Sequence, residues 1–153
     1  MNDQSLIIEK YTGELEILMP LLTTADPDPV TVKLYLKDAT VFVIRESGVF
    51  VAVAVLCIDG QEAELKNIAV AKSHQCQGLA KLLIARLIEE ARSLGATTIS
   101  VGTGNSSLSQ LALYQKCGFR IDHVVKDFFA NYPEPIYENG MRCIDMVVLV
   151  VRF

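Results

Sequence analysis

Hydrophobic and polar positions in the first half of the chain follow patterns that predict strands. Residues 40–45 and 49–58 are rich in Val, Ile and Phe and flank a Glu-Ser-Gly turn, which is typical of a β-hairpin. An Asp-Gly turn and a further strand over residues 62–70 extend the hairpin to an antiparallel meander of three strands. Residues 6–11 predict an earlier strand in the same way.

Two short helices are predicted before that meander. The apolar side chains of residues 14–22 recur at helical spacing, and Pro20 is expected to end this helix early. A proline-rich break follows, and Pro29 suits the first turn of a second helix that runs to about Lys37.

The clearest helical pattern of the chain begins at residue 79. Residues 79–94 place apolar side chains along one stripe and Lys81 and Glu89 on the opposite face, and Gly95 stands where a left-handed residue ends a helix. The other predicted elements are a strand at 97–101, a helix at 106–116, a strand at 119–126, an irregular stretch at 127–140 and a closing segment at 143–152, whose residues 146–151 are expected to form a strand buried on both faces.

This order of elements predicts an α/β (α+β) fold. A meander that feeds a strand-helix-strand unit implies a mixed, mostly antiparallel, twisted sheet of about seven strands with about four helices on both faces. The length favours one domain over residues 1–153. In such sheets a ligand binds at the carboxyl ends of strands that diverge, which here points to residues 70–79.

Composition and charge narrow the class of protein. The chain is 51% hydrophobic and 21% charged, which is ordinary for a globular domain, and its net charge of −4 gives no support to nucleic-acid binding. The longest uncharged apolar run, residues 47–58, is shorter than the ~20 residues of a membrane-spanning helix. The N-terminus lacks the pattern of a secretory signal. We therefore expect a cytoplasmic protein with no membrane partner.

Cysteine usage gives no sign of a metal or a disulfide framework. The four cysteines are Cys57, Cys76, Cys117 and Cys143, and their spacings match neither zinc ligands nor a small disulfide scaffold. We expect reduced thiols and no metal site.

The segment between the meander and the strongest helix is the clearest candidate for binding chemistry. It reads Ser-His-Gln-Cys-Gln-Gly-Leu-Ala over residues 73–80. A turn that delivers unpaired backbone N–H groups into the first turn of a long helix favours an anion, and Gly78 would let the backbone approach a ligand. The alternative is an ordinary strand-to-helix turn in which the glycine solves a steric problem.

The same segment carries a resemblance to a known family. The pattern Gln75-x-x-Gly78-x-Ala80, with residues 64–70 before it, resembles the acyl-CoA-binding motif of the GNAT superfamily of N-acetyltransferases. Residues 113–119 (Leu-Tyr-Gln-Lys-Cys-Gly-Phe) resemble a later helix and strand of that family, so the resemblance covers about residues 5 to 151. It implies transfer of an acetyl group from acetyl-CoA to a primary amine of a small molecule or peptide, by direct attack in a ternary complex.

The resemblance also implies which residues contact the coenzyme. Many members have an arginine where this chain has Gln75 and a glycine where it has Ala80, so backbone donors gain importance, with Lys81 and Lys72 as helpers. The implied cofactor-binding residues are Ile68, Ala69, Val70, Gln75, Cys76, Gln77, Gly78, Leu79, Ala80, Lys81, Asn105 and Tyr114.

Two catalytic residues follow from the same resemblance. Glu64 occupies the position of a glutamate that draws a proton from the amine, often through water; its alternative is a solvent-facing charge paired with a lysine. Tyr114 occupies the position of a tyrosine that protonates the leaving thiolate; its alternative is a packed tyrosine bonded to a backbone carbonyl. Asn105 is expected to cap the following helix or to bind the pantetheine arm.

An acceptor surface is predicted from aromatic and acidic residues in the irregular stretch. Phe128, Phe129, Tyr132 and Tyr137 lie among prolines and glutamates, and Asp26 and Asp28 are expected to approach the same region. Aromatic faces with carboxylates suit a cationic or apolar amine. The alternative is a structural loop that closes the edge of the core.

Two rival functions compete with the transferase. Residues 102–107 imitate a dinucleotide fingerprint, although serine replaces its third glycine and too little chain follows for the usual pair of βαβ halves. A non-catalytic acyl-CoA sensor is the other alternative. The apolar final strand could also pair across a homodimer.

Overall fold

A seven-stranded sheet forms the centre of the molecule in a computed structural model that describes residues 6–153. Its strands are β1 (Leu6–Lys10), β2 (Thr40–Glu46), β3 (Val49–Asp59), β4 (Glu62–Val70), β5 (Thr98–Gly104), β6 (Arg120–Val125) and β9 (Met146–Arg152), and a separate hairpin joins β7 (Ile136–Glu138) to β8 (Met141–Cys143). The strand order is β1-β2-β3-β4-β5-β9-β6, and each neighbouring pair is antiparallel except β4 and β5. The predicted mixed, mostly antiparallel sheet is confirmed.

Helices cover both faces of this sheet, as predicted. They are α1 (Met19–Ala25), α2 (Pro29–Leu36), α3 (Leu79–Ser93) and α4 (Leu108–Lys116). Leu22 of α1 and Val32 of α2 pack with Val43 and Val53 on one face. The opposite face forms a second core cluster with α3 and α4. Alternate side chains of β2 and β3 therefore enter different cores, which explains why residues 41–44 and 49–58 are apolar at every position.

Helix α3 is the longest helix of the described residues and follows its apolar stripe. The buried positions are Leu79, Leu83, Ile84, Leu87 and Ala91. Gly95 ends the helix with φ of +88°, a left-handed conformation that glycine adopts without steric cost. The crossover β4-α3-β5 makes β4 and β5 parallel neighbours.

Pro20 begins a helix instead of ending one. Residues Leu15–Leu18 form a short 3-10 helix, and α1 then starts at Met19 with Pro20 in its first turn. Proline fits there because the N–H groups of a first turn have no acceptor within the helix. The prediction of one helix over residues 14–22 is therefore wrong in its boundaries.

The C-terminal part differs from its prediction in two respects. The stretch predicted as irregular contains β7, which pairs with β8 in a hairpin. Strand β9 is half-buried along most of its length, and only Leu149 is fully buried, so the expectation of burial on both faces is wrong. Val147 and Val151 pack against the core beside Leu149 and are partly buried, and Val148 on the other face is also only half-buried.

The Gly-Thr-Gly sequence of the imitated dinucleotide fingerprint lies inside β5. A Cβ on Gly102 would lie 2.6 Å from the Sδ atom of Met146, and one on Gly104 would collide with the Sγ atom of Cys143. These glycines allow β9 and β8 to approach the strand closely. They form no phosphate loop, which removes the observation that favoured an oxidoreductase.

Candidate active site

Helix α3 begins with backbone N–H groups that have no acceptor among the described residues. They belong to Gly78, Leu79, Ala80 and Lys81, and no side chain caps the helix. Gly78 has φ of +82°, and a Cβ placed on it would meet no atom within 4 Å. Unpaired donors and the positive end of a long helix together attract anions, so this turn can hold a phosphate group.

The loop that leads into α3 is held by side chains. Nε2 of His74 lies 2.9 Å from Oε2 of Glu46 on β2, and its Nδ1 lies 2.7 Å from Oγ of Ser73. Nε2 of Gln75 donates to the carbonyl oxygen of Val70 at 3.2 Å, so this side chain turns back toward β4. Cys76 and Gln77 are exposed.

Strands β4 and β5 separate after a short parallel ladder. They pair only at Glu62 with Thr98, Ala63 with Ile99 and Glu64 with Ser100. Beyond that point Ile68, Ala69 and Val70 pair with β3 on one side and have no strand on the side that faces β5. An extended ligand can pair with such a free edge as an added strand would.

Glu64 lies at the last paired position, where the gap between β4 and β5 opens. Its neighbours Ala63 and Leu65 pack into the core under α3, so its own side chain points to the face that α1 and α2 cover. Nζ of Lys66 lies 3.4 Å from Oε2 of Glu64, and the glutamate side chain is 44% exposed. The pairing expected for a solvent-facing charge is present, and the carboxylate stays accessible to a substrate.

Tyr114 lies in the core on the face of the sheet opposite to Glu64. It is 4% exposed on α4 and packs edge-on against Phe119, with ring centroids 5.9 Å apart. Burial raises the pKa of Tyr114 to about 12. Within residues 6–153 its hydroxyl makes no hydrogen bond, so the alternative of a bond to a backbone carbonyl is not observed. The phenol is therefore available as a neutral donor.

The raised pKa of Tyr114 predicts a loss of stability in base. An unfolded chain releases this proton near pH 10.0, and the folded protein releases it near pH 12. Above pH 10.0 the folded state binds more protons than the unfolded state, so the free energy of unfolding falls as the pH rises to about 12. Denaturant unfolding across this pH window should show that the free energy of unfolding falls less steeply with pH in Tyr114→Phe than in the parent. The exposed-site variant Tyr137→Phe should match the parent, and an unchanged slope in Tyr114→Phe would contradict the prediction.

The side chain of Asn105 holds two backbone segments together through hydrogen bonds. Its Oδ1 accepts from the backbone N–H groups of Ile144 at 2.8 Å and Asp145 at 3.0 Å, and its Nδ2 donates to the carbonyl oxygen of Arg142 at 3.2 Å. The N-cap of α4 is Ser107, so the expectation that Asn105 caps this helix is wrong. The side chain instead fixes the start of β9 beside the end of β5. A contact between Asn105 and the pantetheine arm stays a prediction.

A β-bulge in β4 places a residue that the sequence pattern did not single out. Consecutive residues of β3 pair with Leu65 and Asn67, which leaves Lys66 without a partner. The extra residue reverses the alternation, so Asn67 points to the face of α1 and α2. Its Nδ2 donates to the carbonyl oxygen of Leu22 at 3.0 Å and to Oη of Tyr35 at 2.9 Å. Strict alternation would place Asn67 with Leu65 on the other face.

The predicted acceptor residues come together only in part. Phe128, Phe129 and Tyr132 form an aromatic cluster with adjacent centroids 4.8 and 5.5 Å apart. Burial raises the pKa of the Tyr132 hydroxyl, and the nearby charges of Asp26 and Asp28 raise it further. Tyr137 is exposed. Glu138 instead accepts hydrogen bonds from Ser106 and Ser107, which ties the hairpin to the start of α4.

Comparison with known proteins decides the family. A model of the acetyltransferase (GNAT) family matches residues 11–119. The chain belongs to the GNAT family. The resemblance found in the sequence is confirmed, and the unpaired N–H groups at the start of α3 fit the diphosphate of the co-substrate, acetyl-CoA. The protein is an acyl-CoA-dependent N-acetyltransferase.

Similar GNAT proteins cover nearly the whole chain. The uncharacterized N-acetyltransferase YvbK of Bacillus subtilis is 45% identical, over 97% of this chain and 97% of its own. An acetyltransferase from Bacillus subtilis solved in complex with CoA has a TM-score of 0.92 and 43% identity, covering 97% of this chain and 99% of its own. A GNAT family acetyltransferase from Elizabethkingia anophelis with acetyl-CoA bound has a TM-score of 0.91 and 38% identity, covering 99% and 100%.

Residues 6–153 contain no group of three or more His, Cys, Asp or Glu side chains that could hold a metal ion. All four cysteines carry free thiols. None of the helices described for this chain has the length and apolar character that a bilayer span requires.

Proposed function

We propose that this GNAT enzyme acetylates a primary amine of a small molecule, with both substrates bound at once. The unpaired amides at the start of α3, beside the gap between β4 and β5, are the observation that carries the proposal. They provide a site for the diphosphate at one end of this gap, and Glu64 lies at its other end. A thioester held there lies where an amine can attack it from the face of α1 and α2.

The coenzyme contacts are proposed to come mostly from backbone groups. The first turn of α3 binds the diphosphate, and Lys81 adds charge at its edge. The free edge of β4 at Ile68–Val70 pairs with the amides of the pantetheine arm, and one N–H polarises the thioester carbonyl. The remaining proposed contacts come from Gln75, Cys76, Gln77, Asn105 and Tyr114.

The proposed reaction transfers one acyl group and releases one proton from the amine. The amine nitrogen attacks the thioester carbonyl carbon, a C–N bond forms, and the C–S bond breaks. The amine proton passes to Glu64, directly or through water, because the carboxylate lies at the apex of the gap. The thiolate leaves toward Tyr114. A phenol with a pKa of about 12 is a weaker acid than a thiol, so Tyr114 stabilises the thiolate chiefly by donating a hydrogen bond.

Substitution of Glu64 tests the proposed base. Glu64→Gln is expected to lower kcat/KM for the amine about tenfold. This is less than the roughly 100-fold or more typical of acid–base residues, because water reaches the exposed carboxylate and can replace it in part. Glu62→Gln, two residues earlier on the same strand, is the matched control and should retain full activity. Steady-state release of CoA thiol measures both variants. Equal activity of Glu64→Gln and the parent would assign Glu64 to the ion pair with Lys66 alone.

Binding and turnover are tested separately. Acetyl-CoA should raise the melting temperature of the protein, and nicotinamide dinucleotides should not. A panel of aliphatic, aromatic and cationic amines should then give thiol release that depends on both substrates. Acetyl-CoA binding without thiol release on any amine of the panel would favour the non-catalytic sensor. The single domain over residues 1–153, the cytoplasmic location and a homodimer stay predictions.

A further inference from the structure

A cluster of polar side chains lies on the acceptor face of the gap. The carbonyl oxygen of Leu22 accepts hydrogen bonds from the N–H of Asp26 at 3.2 Å and from Nδ2 of Asn67 at 3.0 Å. The same Nδ2 donates to the hydroxyl of Tyr35 at 2.9 Å. The end of α1, helix α2 and the unpaired part of β4 are thereby joined at one place, directly before Ile68.

One polar atom in this cluster has no partner. Asn67 is 4% exposed, and its Oδ1 makes no hydrogen bond to any described residue. A buried amide oxygen without a hydrogen-bond donor destabilises the folded protein, so such atoms are rare unless a ligand or water donates to them. Nδ2 of the same amide is already used, and the free acceptor therefore calls for a donor such as an amine N–H.

The charges around this acceptor are mostly negative. Asp26 is half-buried, and its Oδ1 accepts from the N–H of Asp28 at 3.2 Å. Burial raises the pKa of the Tyr35 hydroxyl to about 12, and the Asp26 carboxylate beside that hydroxyl contributes to this rise. Burial raises the pKa of the Tyr132 hydroxyl, and the negative charges of Asp26 and Asp28 raise it further, so this phenol lies within electrostatic range of both carboxylates. Lys66 is the nearby cation, and Glu64 pairs with it.

We infer that the acceptor is an amine with a second cationic group, in which the reacting nitrogen donates to Oδ1 of Asn67 and the second cation binds between the Asp26 carboxylate and the Tyr132 ring. This inference rests on the proposed transferase function and names the substrate class of the same site. A carboxylate attracts the ammonium group, and an aromatic face binds it by a cation–π interaction. A carboxylate at the same position of the substrate would be repelled.

Three amines with the same four-carbon chain test the inference. Diaminobutane, n-butylamine and aminobutyrate place an ammonium, a methyl group or a carboxylate at the far end. With acetyl-CoA saturating, kcat/KM should be at least about tenfold higher for diaminobutane than for n-butylamine, beyond the factor of about two that its two equivalent amines supply, and lowest for aminobutyrate. Asp26→Asn keeps Oδ1 but removes the negative charge. It should lower the ratio of kcat/KM for diaminobutane to kcat/KM for n-butylamine about tenfold.

Controls separate recognition from folding. Asp59→Asn, an exposed aspartate at the end of β3, should leave the ratio unchanged. Tyr132→Leu, at a partly exposed position, should lower the ratio, and the melting temperature of each variant shows whether it folds. Equal efficiency on diaminobutane and n-butylamine, or an unchanged ratio in Asp26→Asn, would overturn the inference and leave the transferase function standing. No thiol release with any amine, while acetyl-CoA still binds, would overturn both.

Discussion

Tyr114→Phe is expected to lower kcat for amine acetylation by about 100-fold, with the Kd for acetyl-CoA nearly unchanged. The substitution keeps the ring that packs against Phe119 and removes only the hydroxyl, which makes no hydrogen bond to the described residues. Folding stability at neutral pH should therefore change little. The loss should appear in kcat because the hydroxyl acts on the thiolate that forms in the transition state.

The pH profile of the parent enzyme gives a second measurement on the same residue. Because Tyr114 keeps its proton until about pH 12, activity should rise with pH as the acceptor amine loses its proton and should show no descending limb from this phenol below that value. Tyr137→Phe, at a tyrosine that is 68% exposed, is the control for loss of a phenol and should retain kcat. A full kcat in Tyr114→Phe would remove Tyr114 from the reaction.

Gly78→Glu is expected to weaken acetyl-CoA binding about 100-fold, because it places a carboxylate at the anion site of α3. The open space around this glycine means that the new side chain meets no protein atom near its Cβ. The effect on affinity therefore comes from charge repulsion and from occupation of the phosphate position. Isothermal titration with acetyl-CoA measures it directly.

The other end of the same helix provides the control for strain. Gly95 has φ of +88° and equally open surroundings, so Gly95→Glu imposes the same left-handed strain, on the order of 1 kcal/mol, at a distance from the site. Both variants should lose stability to a similar degree, and only Gly78→Glu should lose affinity. Equal affinities in the two variants would show that the first turn of α3 does not hold the diphosphate.

Much of the cofactor side of the site was predictable because it is local in the chain. The helical period over residues 79–94 and the glycine before it determine which N–H groups have no acceptor, and no distant contact is needed to expose them. The meander and the strand-helix-strand order likewise predicted where strands diverge. The boundaries of α1 were not predictable from periodicity, because Pro20 is equally compatible with the end of a helix and with a first turn.

The acceptor side depended on contacts between distant residues. The bulge at Lys66 adds one residue to β4, and this shift moves Asn67 to the other face of the sheet, against the alternation that the pattern implies. Asn105 was predicted as a cap or a coenzyme contact, yet its side chain bonds residues about 40 positions away.

The amino-acid sequence by itself therefore determined most of the strands and helices, the turn whose N–H groups are unpaired, and the family. Those features follow from local periodicity, from backbone donors that a helix start always leaves unpaired, and from short motifs. The tertiary structure decided which side chains face the gap between β4 and β5. Register, bulges and the packing of α1 and α2 are collective properties of paired strands and buried surfaces, and no single segment encodes them.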